Sequence, residues 1–356
     1  MAELDYAKTL GIFFMVIIHT IEEMSFFDTV ETEPSGFFQN FTEFCAGPLA
    51  APAFMFAMGA CTVFSPKNTP RFMARRGLNL WVLAMLLNLV RDVIPDLIMC
   101  LINGVSPDPD NIFFLAFNVD ILHFSAICFF LTALLKKLRM PVWCFIPTAV
   151  VMQITGNMLS VIPAENKIAE CIVSYFYPAG ELAFFPLLNC YIWMAVGITA
   201  GEMIIRIKDT DKVCRTAIPV CAVLLAGYLF ALNDAGYDIR SFYTLYDDLY
   251  YTQTFLHFIF NTLIIIIELS VFHFIHKKTK HIYGFCRFCS ANLNTVYIVQ
   301  WLLIGWISTN KRYGNISFSF ETCAVIGFFI TLISIGITKL LPKVNLSNLS
   351  RSKQCV

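Results

Sequence analysis

Residues 253–276 read QTFLHFIFNTLIIIIELSVFHFIH. Apart from histidine, Glu268 is the one ionisable side chain in the run, and no alternation of polar and apolar positions interrupts it. At about 1.5 Å per residue a helix of this length reaches about 36 Å, enough to cross the ~30 Å hydrocarbon core of a bilayer. A lipid-facing β-strand would need a period of two, which the run lacks.

Comparable runs occur near 4–26, 44–64, 76–101, 112–135, 141–162, 180–205, 213–232, 253–276, 290–308 and 317–340. The expected fold is all-α: a polytopic membrane protein with about ten transmembrane helices. Composition agrees. Of 356 residues, 58% are hydrophobic and 14% charged, against about 25% charged in a soluble domain. A water-soluble particle of this size could not hide so much apolar surface. The net charge of zero excludes the clustered positive charge of a nucleic-acid binder. The longest gaps, 28–43, 102–111 and 233–252, are too short for an additional domain. Residues 1–345 therefore read as a single transmembrane domain and 346–356 as a short cytoplasmic tail.

Lysine and arginine set the orientation. With both termini placed in the cytoplasm, twenty of the 25 basic residues fall on that side, among them Lys8, Lys67, Arg71, Arg75, Arg76, Lys136, Lys137 and Lys277. Arg91, Lys167, Arg240, Lys311 and Arg312 fall on the other, where most acidic residues also lie. The acidic start Ala2-Glu3-Leu4-Asp5 marks the first run as a retained span rather than a cleaved signal. Cys286-x-x-Cys289 has no second pair at zinc spacing, so no metal is expected. The plasma membrane is the expected location.

Charges inside spans are costly and mark cavities, partners or substrate paths. His19 lies about 22 Å along the first run from Leu4, toward the outer leaflet, and Glu22 and Glu23 follow on the same helical face. A carboxylate beside an imidazole orients the ring and prepares it as a general base. An interfacial histidine with solvated glutamates satisfies the same spacing. Asp120 and His123 repeat the i, i+3 pairing at a similar depth in the fourth run, where Asp120 is equally suited to cap its helix. On the cytoplasmic side Lys67 and Arg71 carry the positive-inside signal. Arg75 and Arg76 open a helix and have the forked geometry that matches phosphate oxygens. Glu202 and Glu268 are expected to pair with nearby basic groups, and His257 to line the outer vestibule.

Several ordered motifs carry a resemblance. They are LDYAKTLGIFFMVIIH at 4–19, APAFMFAMG at 51–59, FMARRGL at 72–78 with LLNL at 86–89, DILHF at 120–124, FPLLN at 185–189, and Asn292, Tyr297 and Trp301. Together they resemble the transmembrane acyltransferase superfamily, in particular its heparan-α-glucosaminide N-acetyltransferase-like branch; acyltransferase family 3 is a more distant likeness. Lys8-Thr9 stand where that branch has Arg-Gly, and Gln300 where it often has His.

The resemblance implies an enzyme that takes an acyl group, acetyl by preference, from cytoplasmic acyl-CoA (acetyl-CoA) as co-substrate. The acceptor would be a hydroxyl or amine of a glycan, lipid or small molecule on the extracytoplasmic side. His19 would act as general base with Glu22, Asp120 and His123 in the catalytic cluster, and Arg75 and Arg76 would hold the donor's phosphates, with no metal. Direct transfer and an acyl-histidine intermediate both fit. From another class, a proton-coupled transporter or flippase could use the same histidines and acids as a proton relay. The expected partners are the lipid bilayer, acyl-CoA and the acceptor; a homodimer is allowed.

Overall fold

In a computed structural model, residues 2–25, 36–180, 182–244, 253–314 and 318–341 are described. The chain is helical throughout, and among these residues extended pairing is limited to two isolated bridges, Ser25 with Phe318 and Val119 with Ala183. The first half comprises α1 (Ala2–Met24), α2 (Phe37–Ala46), α3 (Ala51–Phe64), α4 (Pro70–Asn88), α5 (Ile94–Asn103), α6 (Pro109–Phe117), α7 (Ile121–Lys137) and α8 (Phe145–Leu159). The second comprises α9 (Lys167–Val173), α10 (Leu187–Ile204), α11 (Thr210–Asp234), α12 (Phe255–Lys278), α13 (Tyr283–Ala291), α14 (Leu293–Gly314) and α15 (Phe320–Leu340).

Among the described residues seven helical segments are long and apolar enough to cross a membrane: Ala2–Met24, Phe37–Phe64, Val142–Leu159, Leu187–Ile204, Thr210–Asp234, Phe255–Lys278 and Phe320–Leu340. The protein is accordingly an integral membrane protein. The expected runs at 76–101, 112–135 and 290–308 are helical too, but they are interrupted, shorter or more polar. The run near 44–64 begins earlier than expected, at Phe37, and is broken at 47–50. Pro48 has no N–H and pushes the residue before it out of helical geometry, and Gly47 turns there with ψ of −94°. The fourth run is cut at Asn118–Asp120 into α6 and α7. The tail expected at 346–356 lies outside the described residues.

Small residues decide which helices meet. A Cβ on Gly59 of α3 would lie 2.2 Å from the Met194 carbonyl of α10, and one on Gly197 would lie 2.0 Å from the Phe56 carbonyl. The two backbones therefore touch, the close approach that small residues permit where lipid supplies no hydrophobic drive between helices. Gly77 does the same for α4 against Ala126 of α7, at 2.7 Å. The main core joins α1, α3, α4, α7, α8, α10, α14 and α15, with Tyr191, Trp193, Phe124 and Phe129 fully enclosed. α1 runs through its middle, packed against α12 to α15 as well as α2 and α3. Its first turn is pinned by His273, which bonds Glu3 at 2.8 Å and Asp211 at 2.9 Å, and by Tyr283, which donates to Asp5 at 3.1 Å. α11 buries only Cys214, Cys221 and Leu232, as befits a helix whose neighbour is lipid.

Replacing Gly197 by Val forces α3 and α10 apart. Overpacking of this kind costs about 1–3 kcal/mol, to be read as a lowered thermal-unfolding midpoint of the detergent-purified protein.

Candidate functional site

The site is organised by a local change of helix type. Between α4 and α5 the backbone widens into a π-helical turn, Leu89–Val93, so that 70–103 is one continuous helix with a bulge inside it. π-Bulges are rare and concentrate at functional positions. The bulge is held from outside: the Trp306 indole N–H donates to the Val90 carbonyl at 3.1 Å. Gly305 lets α14 lie directly on the turn, since a Cβ there would be 2.4 Å from the Arg91 carbonyl. The turn directs Arg91 inward, where it is 4% exposed.

A guanidinium so far from water needs partners for its charge and its N–H groups. Nε donates to Asp92 at 2.7 Å, Nη2 to Asn118 Oδ1 at 3.2 Å and Nη1 to Asp120 Oδ2 at 3.4 Å. The acceptors are set by the break before α7. Asn88, from the LLNL motif, donates to the Asn118 carbonyl at 3.0 Å, and Val119 pairs with the 182–184 backbone. Asp120 then caps α7: Oδ1 accepts from the Leu122 and His123 backbone and contacts His123 Nδ1 at 3.0 Å. Its other oxygen takes the Tyr297 hydroxyl at 3.1 Å. Asp120 thus caps α7 and meets its i+3 histidine through one oxygen, while the other takes Arg91 and Tyr297. His123 is fully buried, and its Nε2 faces Met85 Sδ at 3.4 Å.

His19 enters from α1. Its Nδ1 lies 2.9 Å from Glu22 Oε2, and its ring packs 4.4 Å from Trp301. The same indole carries Arg91, whose Cζ is 4.4 Å from the ring centroid, a cation–π contact. Trp301 therefore joins the His19–Glu22 pair to the Arg91–Asp120–His123–Tyr297 cluster.

Below this cluster lies a cavity of about 230 Å³. It follows the α1 stripe Lys8, Ile12, Met15 and Val16, with walls from α3, α4, α7 and α14. Lys8, Cys61 and Arg76 line one end, and Tyr297 and Gln300 bring its wall to the cluster. His19 continues the same α1 stripe about 16 Å beyond Lys8, but it is not a lining residue. Arg76 lines the cavity with its guanidinium 4.5 Å over the Phe129 ring, whereas Arg75 does not line it. Consecutive helix residues project about 100° apart, so the pair is divided. Gln300 is 2% exposed, and its Oε1 has no hydrogen-bond partner. Among the described residues no group of His, Cys, Asp and Glu is arranged to hold a metal.

Two expectations differ from the structure. His257 is buried under Phe242 and bonded to Thr254 at 2.8 Å, away from the cluster. Among the described residues Glu268 has no basic partner: both carboxylate oxygens are buried without a hydrogen bond, in an Ile-rich stretch beyond the reach of the lysines that end α12.

Fold and site together define an integral membrane protein with a polar cluster closed inside its helices and a cavity reaching it from one end. The chain belongs to the heparan-alpha-glucosaminide N-acetyltransferase catalytic family, whose model matches residues 1–229; it is a membrane acetyltransferase in the general sense of that family. Neither the curated proteins nor the solved structures provide a match. The matched segment holds α1 to α10 and most of α11. Tyr297, Gln300 and Trp301 lie beyond it.

Sequence reasoning missed Arg91, Tyr297 and Trp301 as members of one cluster, and Lys8 and Cys61 as cavity residues. A signal existed for the first group: Tyr297 and Trp301 are four apart, hence on one helical face, and Arg91-Asp92 sit inside an apolar run.

Removing Arg91 while keeping Asp120 leaves a buried carboxylate without its cation. Arg91→Met is expected to cost about 3–5 kcal/mol, and Asp120→Asn in the same chain to recover part of it, measured by thermal unfolding of both variants.

Proposed function

We propose that the protein transfers an acetyl group from acetyl-CoA to an amine or hydroxyl acceptor on the opposite side of the membrane. The observation that carries this reading is the cavity. It has two cations at one end and, at the other, a buried glutamine whose Oε1 has no partner, beside a hydrogen-bonded tyrosine. By the positive-inside rule the Lys8 and Arg76 end faces the cytoplasm, the compartment that supplies acyl-CoA.

In this reading Arg76, with Lys8, receives the donor's phosphates, because a guanidinium fork and an ammonium both complement phosphate oxygens. Arg75, directed elsewhere, contributes to the local positive potential. The pantetheine arm runs along the apolar stripe of α1, where Ile12, Met15 and Val16 offer no competing hydrogen bonds. Gln300 and Tyr297 then meet the thioester end, and their polar groups orient it. The cavity is smaller than a typical ligand pocket of about 300–1,000 Å³, so it suits the arm, with the nucleotide left at the mouth.

His19 is the base. Glu22 holds Nδ1, which leaves Nε2 to take the proton of the acceptor as it attacks the thioester carbonyl. Asp120, anchored by Arg91 and His123, positions Tyr297. The Trp301 ring packs on His19, and its displacement would open the way for donor and base to meet.

Membranes containing the protein should release free thiol from acetyl-CoA and yield an acetylated product detectable by mass spectrometry. His19→Ala is expected to lower turnover by about 10²–10⁴-fold with an unchanged unfolding midpoint, while Arg76→Gln raises KM for acetyl-CoA more than it lowers kcat. Wild-type turnover in the His19 variant would end the base assignment. Absence of any acyl transfer would favour a proton-coupled transporter.

A further inference from the structure

Cys61 lies on the cavity wall at the cationic end, half-buried, with the Lys8 ammonium 3.2 Å from its Sγ. Arg76 lines the same cavity. Neither cation forms an ion pair among the described residues. A second, independent feature marks the cavity as a ligand site: Gln300, 2% exposed, presents an Oε1 with no partner.

Two unpaired cations beside a reachable thiol draw in anions and hold them against the sulfur. We propose that Cys61 is a covalent modification site for small anionic disulfides, and that the mixed disulfide formed there plugs the cavity. The Cys61 thiolate attacks one sulfur of the disulfide. A new S–S bond forms as the old one breaks, the electron pair leaves with the departing thiolate, and that thiolate takes up the proton Cys61 gave up. Cys61 is oxidised and the small disulfide is reduced, so no further oxidant is required. The carboxylate that stays on the adduct then lies beside Lys8 and Arg76, occupying the groups that would hold a phosphate. The modification site stands on this geometry; its effect on catalysis rests on the donor reading above.

The test sets a dianionic disulfide, dithiodiglycolate, against a dication of similar size, cystamine. Each is reacted with the full-length protein in detergent and normalised to its rate on the unfolded chain. Peptide mass mapping reads each cysteine separately. Cys61 is expected to favour the anionic reagent by about tenfold at low salt, within the range of electrostatic steering, with the preference shrinking as salt rises and in Lys8→Gln. Cys171, also half-buried but next to Glu170, should show no such preference. The salt series needs no substitution, so a misfolded variant does not decide the matter.

A Cys61 that stays unmodified, or that prefers cystamine, overturns the proposal. Protection of Cys61 by acetyl-CoA, and recovery of turnover on reduction, supports both readings. Acetyl-CoA turnover with an unlabelled Cys61 sinks the modification site and leaves the donor reading intact. Anionic preference without protection or turnover does the reverse.

Discussion

Arg91 is a guanidinium placed where water does not reach, and much of the surrounding architecture answers that one fact. Its ionised form is held by two carboxylates, an amide oxygen and an indole face. Without them the desolvation of a cation would be ruinous at this depth. A regular α-helix would not present Arg91 and Asp92 as the π-helical turn does, and that turn frees a carbonyl that Trp306 satisfies. The break between α6 and α7 is the other half of the arrangement, because a continuous fourth span would bury Asp120 in mid-helix rather than at a cap. Irregular backbone is tolerated at membrane depth where protein, not lipid, surrounds it; here α14 supplies the cover.

The helical membrane character was legible in the sequence because lipid demands long apolar runs, and the expected runs fall mainly on helices, several of them broken in two. Interruptions were less legible. The bulge at Leu89–Val93 has no proline within it, and the break at Asn118–Asp120 depends on side chains from Asn88 and Arg91 that are distant in sequence. The His19–Glu22 and Asp120–His123 pairs were readable as i, i+3 neighbours, and both contacts are present. What spacing could not convey is that they are different in kind. His19 keeps some exposure and one committed nitrogen. His123 is sealed, with a methionine sulfur against its second nitrogen. Arg75 and Arg76 were alike in sequence, and the helix separates them.

Gln300 illustrates how a departure from a motif acquires meaning. Where the resembling family often has histidine, this chain has a side chain that neither gains nor loses a proton. In this position it serves as a hydrogen-bonding group, and its carbonyl oxygen is left without a partner. An unpaired amide oxygen in a dry site is costly, about 1–3 kcal/mol, unless something completes it. In the proposed reading a donor N–H of the bound arm completes it.

Trp301 sets a geometric condition on the proposed reaction. The indole touches both His19 and Arg91 but does not line the cavity, so it couples the proposed base to the cluster rather than to the cavity itself. Moving that ring gives up its place in the main core as well as one cation–π contact of about 0.5–2 kcal/mol. Arg91 does not lose its charge balance in that change, since Asp92 and Asp120 remain. In the proposed reaction the charges of the cluster therefore stay balanced when the ring moves, and His19 and the donor can meet without unpairing Arg91.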